Sequence, residues 1–223
     1  MAAYTGKVKP GGTPDVRELA KLVITKVAVD DQMSNNCYVL RCRATDEQLL
    51  VDAAADAPRL LAVVGDGGLA TVVTTHQHWD HHRALADVVS ATGASTVSGA
   101  DDAGAITEQT GVEVGRTVGD GDTVTVGECT LDVIHLVGHT PGSIALLYDD
   151  PDGTPHLFTG DSLFPGGPGR TTSPTDFMSL MDDLEANVFD RLPDETWFYP
   201  GHGNDSVLGT ERPHLAEWRE RGW

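Results

Sequence analysis

The chain has 223 residues, 34 of them acidic and 15 basic, for a formal net charge of −19. Such an excess of negative charge repels a nucleic-acid backbone or an anionic membrane over most of the surface, and neither is expected as a partner. All four lysines, Lys7, Lys9, Lys21 and Lys26, lie near the N-terminus, so a cation needed further along must be arginine.

A chain of this length suits one domain spanning 1–223 around a single large core. Cys37, Cys42 and Cys129 are odd in number and form no C-x-x-C pair, which fits reduced, structural thiols. The N-terminus shows no apolar signal segment, and no stretch approaches a membrane span, so a cytoplasmic location is expected. The sequence does not set the oligomeric state, and a homo-oligomer is compatible with it.

Residues 1–15, with Pro10, Gly11, Gly12 and Pro14, read as a loose lead-in. Val23–Val29 predicts a strand and residues 30–36 a polar turn. Cys37–Cys42 and Gln48–Asp52 continue as strands of an antiparallel meander. Pro58–Val64 has an apolar face at helical spacing and stops at Gly65-Asp66-Gly67-Gly68. Leu69–Thr74 is small, β-branched and apolar, the signature of a buried strand.

A helix is expected over Arg83–Val89, a short strand at Ser95–Ser98, a tight turn at Gly119–Asp122 and a strand at Thr123–Val126. Thr130–Val137 predicts a strand delivering Gly138-His139-Thr140-Pro141-Gly142-Ser143, where glycines and a proline suit a tight loop. Ile144–Tyr148 and His156–Thr159 follow as strands, the second ending in Gly160-Asp161-Ser162. Ser173 and Pro174 open a helix whose Phe177, Leu180, Met181, Leu184 and Val188 face the core. Trp197–Tyr199 is a last short strand leading into Pro200-Gly201-His202-Gly203, and His214–Trp218 adds a helical turn.

The chemistry concentrates in Thr75–His82, where His76, His78, Asp80 and His81 crowd imidazoles beside a carboxylate. In an extended segment His76 and His78 point the same way and can share one ion, while Asp80 and His81 need a turn and can face a second. Counting this stretch, four ligand-bearing segments end strands or follow them directly: 76–81, 139, 161 and 202. In layered α/β folds such loops converge on one edge. His82, His135, His156 and His214 fit surface or packing roles, and Trp79 is expected to pack beneath the site as a pocket wall.

The complete set resembles the metallo-β-lactamase superfamily, whose H-x-H-x-D-H signature is followed by separate His, Asp and His motifs. The resemblance implies an α/β fold, an αββα sandwich of two mixed sheets packed together with helices on the outer faces. It also implies two divalent metal ions, zinc ahead of iron or manganese. His76, His78 and His139 would hold the first ion and Asp80, His81 and His202 the second, with Asp161 bridging both. Asp80 and Asp161 are the carboxylates implied in catalysis, and Asp52 supports the ligands from behind.

Within the superfamily, Gly138–Ser143, Thr159–Phe164 and Tyr199–Gly203 are most similar to the glyoxalase II group of thioester hydrolases. Arg170 falls where that group places a basic residue for the carboxylate of its thiol substrate. The implied reaction is hydrolysis of an S-acyl thioester by a metal-bridging hydroxide, with no nucleophilic Ser or Cys; Ser143 and Ser162 are loop residues.

Full-length members continue into a helical domain for which this chain is too short, and their thiol-binding lysine has no counterpart after Lys26. The carrier could therefore be glutathione, mycothiol or another small thiol. A persulfide dioxygenase, with one iron on two His and one Asp, and a lactone hydrolase are the alternatives. A binding-only role ranks last.

Overall fold

Most of the strands are nearly continuous apolar runs, so each must be buried on both faces, and only a layered arrangement does this. The computed structural model describes residues 4–222. The first sheet holds β1 (Asp15–Glu18), β2 (Leu22–Ala28), β3 (Asn36–Cys42), β4 (Gln48–Val51), β5 (Thr71–Thr74), β6 (Ser95–Gly99) and β7 (Arg116–Val118), side by side in chain order. Pairing is antiparallel from β1 to β4 and parallel from β4 to β7. The parallel half needs crossovers, and α1 (Ala57–Val64), α2 (Leu85–Thr92) and α3 (Ala103–Thr110) occupy them.

The second sheet is built from β8 (Thr123–Val126), β9 (Cys129–His135), β10 (Ile144–Tyr148) and β11 (His156–Gly160). After the two-stranded ribbon β12 (Leu163–Phe164) and β13 (Gly167–Pro168), it gains β14 (Trp197–Pro200) and β15 (Ser206–Val207). Its order is β15-β14-β11-β10-β9-β8, with β11 and β14 parallel. The helices α4 (Pro174–Asp183), α5 (Leu208–Glu211) and α6 (Leu215–Arg221) belong to this half of the chain.

The period-2 alternation of a strand assigns each apolar residue to a layer. Leu22, Ile24, Tyr38, Leu40, Leu49, Val51 and Val73 face the second sheet and meet Val133, Leu146, Phe158 and Tyr199. Their neighbours Val27, Cys37, Val39, Leu50 and Val72 turn the other way and pack with Leu60, Leu85 and Val88 of the helices. On the far side Ile134, Leu147, Leu157 and Phe198 meet Phe177, Leu180, Met181 and Trp218. Helix, sheet, sheet and helix thus form the αββα sandwich of two mixed sheets.

Some elements depart from the expectation. The sequence offered no sign of α3, whose Gly104, Thr107 and Thr110 are weak helix formers, nor of β1, β7, β12, β13 and β15, too short to show a period. The tail is more helical than a single turn, with α5, a 3₁₀ turn at Arg212–His214 and then α6. Beyond α4 the helix widens into a π-helical turn, Leu184–Phe189, that still buries Leu184 and Val188.

The lead-in, apart from residues 1–3, which lie outside the described residues, is tied down rather than loose. The Tyr4 hydroxyl donates to Asp205 at 2.6 Å, and the Gly6 carbonyl accepts from Lys26 Nζ at 2.9 Å. The three cysteines are buried and free. Among the described residues no helix is long and apolar enough to cross a membrane.

Phe158 is fully buried between the sheets, with its ring 4.8 Å from that of Tyr199 and 5.3 Å from that of Tyr38. Phe158→Ala should cost about 3–5 kcal/mol of stability in urea denaturation; a loss below about 1 kcal/mol would contradict this position in the core.

Candidate metal centre

The strand ends do converge. β5 stops at Thr74, and a 3₁₀ turn over Trp79–His81 then swings Asp80 and His81 inward behind His76 and His78. His139 follows β9, Asp161 follows β11 and His202 follows β14, so the second sheet supplies the other three. Three trios each bring ligand atoms within 4.8 Å of one another: His76, His78 and His139; His76, His81 and Asp161; Asp80, His81 and His202. All seven predicted ligand residues therefore share one centre.

In the first trio His78 Nδ1 lies 3.1 Å from His76 Nε2 and 2.9 Å from His139 Nε2, and the latter two nitrogens are 3.2 Å apart. In the third, His202 Nε2 lies 3.2 Å from His81 Nε2 and 3.3 Å from Asp80 Oδ2. Asp161 stands between them, with Oδ2 at 3.3 Å from His202 Nε2 and 3.7 Å from His139 Nε2, and Oδ1 at 3.4 Å from His81 Nε2.

What makes these nitrogens potential ligands lies behind them. A neutral imidazole has one N–H and one lone pair, and whichever nitrogen faces an acceptor keeps the proton. His139 Nδ1 donates to the Arg170 carbonyl at 2.6 Å, and His202 Nδ1 to the Met33 carbonyl at 2.8 Å. His81 Nδ1 faces Asp52 Oδ2 at 2.8 Å. Asp52 also accepts from the Thr75 amide at 2.7 Å and the Thr75 hydroxyl at 2.8 Å. With its proton committed to Asp52, that hydroxyl is left to accept from His76 Nδ1 at 3.1 Å. In each case Nε2 is the nitrogen turned toward the centre.

Asp52 is 2% exposed and adopts a left-handed φ of 58° at the end of β4, and its carboxylate stands behind Thr75 and His81. Asp161 Oδ1 is buried without a hydrogen-bond donor, an arrangement that costs free energy unless something else, such as a cation, meets it. Imidazole and carboxylate together suit zinc, manganese or iron. By donor chemistry and by this orphaned oxygen, the residues fit two divalent ions.

Burial pushes His76 well below the ordinary imidazole range, with His81 adding repulsion, and it lowers His78 and His139 as well. Burial acts the same way on His81 and His202, but carboxylates overrule it. Asp161 and Asp52 hold His81 well above its ordinary value, and Asp161 and Asp80 raise His202 to about 10. Burial in turn favours protonation of Asp80 and Asp161, yet the neighbouring imidazoles keep both well below the usual carboxylate range.

The loops reach this geometry by close backbone approach. A side chain at Gly201 would collide with Asp161 Oδ1 and the His81 ring, and one at Gly169 with the Asp161 carbonyl. The 200–203 loop is fastened to the first sheet: Asn36 Nδ2 donates to the carbonyls of Pro200 and Gly203 at 3.0 Å each, and the Tyr38 hydroxyl to Pro200 at 2.6 Å. The sequence reading missed Asn35, whose Nδ2 donates to Asp80 Oδ2 at 3.0 Å. It sits in what reads as a polar turn, and no spacing links it to the ligands.

Trp79 is corrected: it does not pack beneath the centre but is 53% exposed under the Arg83 guanidinium, 4.8 Å from its ring centroid. The Arg170 side chain is exposed, and the contact this residue makes to the centre is through its carbonyl. His82 and His156 are buried packing residues, bonded to the Gln77 carbonyl at 3.1 Å and the Tyr199 hydroxyl at 2.8 Å. His135 meets the Pro141 carbonyl at 2.8 Å and His214 meets Glu217 at 3.1 Å.

An αββα sandwich with a His- and Asp-rich centre at one sheet edge defines a class of metal-centred proteins. Residues 30–202 match the model of the metallo-beta-lactamase superfamily, and the chain belongs to that superfamily, among its glyoxalase II-like hydrolases. A hydroxyacylglutathione hydrolase from Rhodospirillum rubrum is 35% identical over 191 residues, covering 82% of this chain and 67% of that protein. The chain thus spans about two thirds of the length of that relative. Among solved structures, ETHE1 from Myxococcus xanthus has a TM-score of 0.74 at 29% identity over 88% of this chain and 84% of that one. TTHA1623 in a di-iron-bound form has a TM-score of 0.64 at 28% identity over 84% and 96%.

The opposed pKa directions predict unequal uptake of two ions. Below about 10, His202 carries a proton that an incoming cation must displace, so binding at Asp80, His81 and His202 should release protons at neutral pH and tighten as pH rises. His76, His78 and His139 are lowered, are neutral there and release none. Zinc titration calorimetry in buffers of different ionisation enthalpy should resolve one proton-releasing and one proton-silent event; equal release in both would contradict this electrostatic picture.

Proposed function

We propose that the chain hydrolyses S-acyl thioesters of a low-molecular-weight thiol at a two-ion centre. In this reading His76, His78 and His139 hold one ion, Asp80, His81 and His202 the other, and Asp161 lies between them. The observation that carries it is the position of Asp161, within 3.3–3.7 Å of histidines from both outer trios while keeping a buried oxygen with no donor. The hydroxyacylglutathione hydrolase relative supports the choice of a thioester.

Divalent ions held there supply Lewis-acid polarisation and lower the pKa of water toward neutrality. The protein's own groups do the rest. Asp80 and Asp161 stay ionised, so they act as acceptors and offset the charge of the ions. Asn35 fixes Asp80, and Asp52 fixes Thr75 and His81, so neither carboxylate nor imidazole must reorganise during the reaction. A thiolate is a good leaving group, which removes the need for a general acid.

Arg170 lines a cavity of about 360 Å³ together with Phe177 and Arg221. None of the seven candidate ligands lines that cavity, but the Arg170 carbonyl holds His139, and this residue is our candidate for the carboxylate of the thiol carrier. The likeness to ETHE1 bears on a second reading, oxidation of a thiol persulfide at a single iron. The presence of a complete second trio, Asp80, His81 and His202, favours the hydrolase.

Thiol release from S-lactoyl thioesters tests the proposal. His76→Ala and Asp161→Asn should each lower kcat/KM by more than the roughly 10- to 100-fold that loss of a supporting partner costs. Equal rates for the parent and His76→Ala would sink it, as would oxygen consumption with a persulfide in place of thioester cleavage. Arg170→Ala should raise KM with little change in kcat; an unchanged KM would remove Arg170 from the substrate site.

A further inference from the structure

Asp102, in the loop after β6, is fully buried and belongs to no motif. Its Oδ2 accepts from the Gln77 amide at 2.8 Å and the Thr140 hydroxyl at 2.6 Å, and its Oδ1 accepts from the Gly142 amide at 2.8 Å. Gln77 separates His76 from His78, and Thr140 follows His139. One carboxylate therefore grips, from behind, both loops that bring the first histidine trio together, one loop from each sheet.

The arrangement is not what local structure alone would select. Asp102 directly precedes α3 and, as an Asp at that position, would ordinarily cap its own helix; here its side chain makes no capping bond. No Lys or Arg is among the groups bonded to it, so a negative charge is buried on three neutral donors. Asparagine could not replace it without loss, since all three partners donate and an amide would turn an N–H toward one of them. The Thr140 proton goes to Asp102, so Ser143 Oγ, 2.6 Å from Thr140 Oγ1, must donate in turn.

The packing around it leaves the loops no slack. A side chain at Gly142 would overlap the Asp102 backbone, and one at Gly99 would overlap the Gly142 carbonyl. The Ile144 amide also donates to the Thr75 carbonyl at 3.0 Å across the same seam.

We propose that Asp102 is a positioning residue for the His76, His78 and His139 trio, setting the separation of its two loops so that three nitrogens meet at one ion. This rests on the reading of those histidines as ligands. Asp52 differs in reach: it holds His81 directly and His76 through the Thr75 hydroxyl, so it touches residues of both outer trios, whereas Asp102 touches only the loops of the first.

The test is site-selective metal affinity in the full chain, read by cobalt(II) titration with visible absorption and by equilibrium dialysis. Asp102→Asn should weaken one of two ions by about 10- to 100-fold and alter its absorption band, leaving the other ion unchanged. Asp52→Asn, which reaches His76 through Thr75 as well as His81, should weaken both ions and so serves as the unselective control. Thr140→Val should reproduce the Asp102 effect in smaller measure, and Thr140→Ser, which keeps the hydroxyl, should restore parent behaviour.

An Asp102→Asn protein that keeps both affinities overturns the proposal. So does one that weakens both ions equally while lowering the thermal midpoint, which is the mark of a merely structural role. If Asp102→Asn does not fold, the Thr140 pair decides: Val and Ser variants with the same affinities overturn it. A parent chain that takes up no cobalt overturns the ligand reading itself, and is seen before any variant is made.

Discussion

An imidazole can offer a lone pair to an ion only while its proton is held on the opposite nitrogen. Four of the five histidines at this centre meet that condition through a partner behind the ring: the carbonyls of Arg170 and Met33, the Asp52 carboxylate and the Thr75 hydroxyl. Those partners come from four separate stretches of backbone. The aim of these imidazoles is therefore set largely by stretches that carry none of the seven residues, Arg170, Met33 and Asp52 among them, and the two sheets must dock in one register for all four partners to be in place.

Charge follows the same logic. Withdrawing Asp80 and most of Asp161 from water in a chain of net charge −19 costs free energy unless cations are close. In the protein alone His81 and His202 serve by holding protons, which is why their pKa values rise while His76, His78 and His139 are depressed. Protons and divalent ions are thus competing answers to one electrostatic demand, and the centre has one half biased toward each.

Much of this was legible in the sequence because the informative residues lie at strand ends. The runs Leu69–Thr74, Thr130–Val137 and His156–Thr159 predict strands, and each is followed by a ligand, so the convergence of His76, His139 and Asp161 could be argued before any fold was seen. Asp52 and the seven candidate ligands needed the family resemblance to be assigned roles. What stayed hidden is held by tertiary contact alone. Asn35 and Asp102 reach the centre across 45 and 38 residues, to Asp80 and Thr140, and neither periodicity nor spacing reports that. Arg170 adds a use that no motif could show: its carbonyl accepts from His139 Nδ1. Trp79 misled because its apolar surface suggested burial, whereas the turn at Trp79–His81 that carries Asp80 and His81 inward carries the indole out.

The division of ligands between the sheets has a thermodynamic consequence. His76, His78, Asp80 and His81 hang from the seven-stranded sheet, and His139, Asp161 and His202 from the six-stranded one. An ion bridging the two groups acts as a clasp, since sliding or parting of the sheets would break its coordination. Anything that binds the folded state alone adds RT ln(1 + [L]/Kd) to its stability. With ions held there, free metal concentration would become a variable of folding, and the seam between the sheets is where the metal-free chain would first open to hydrogen exchange.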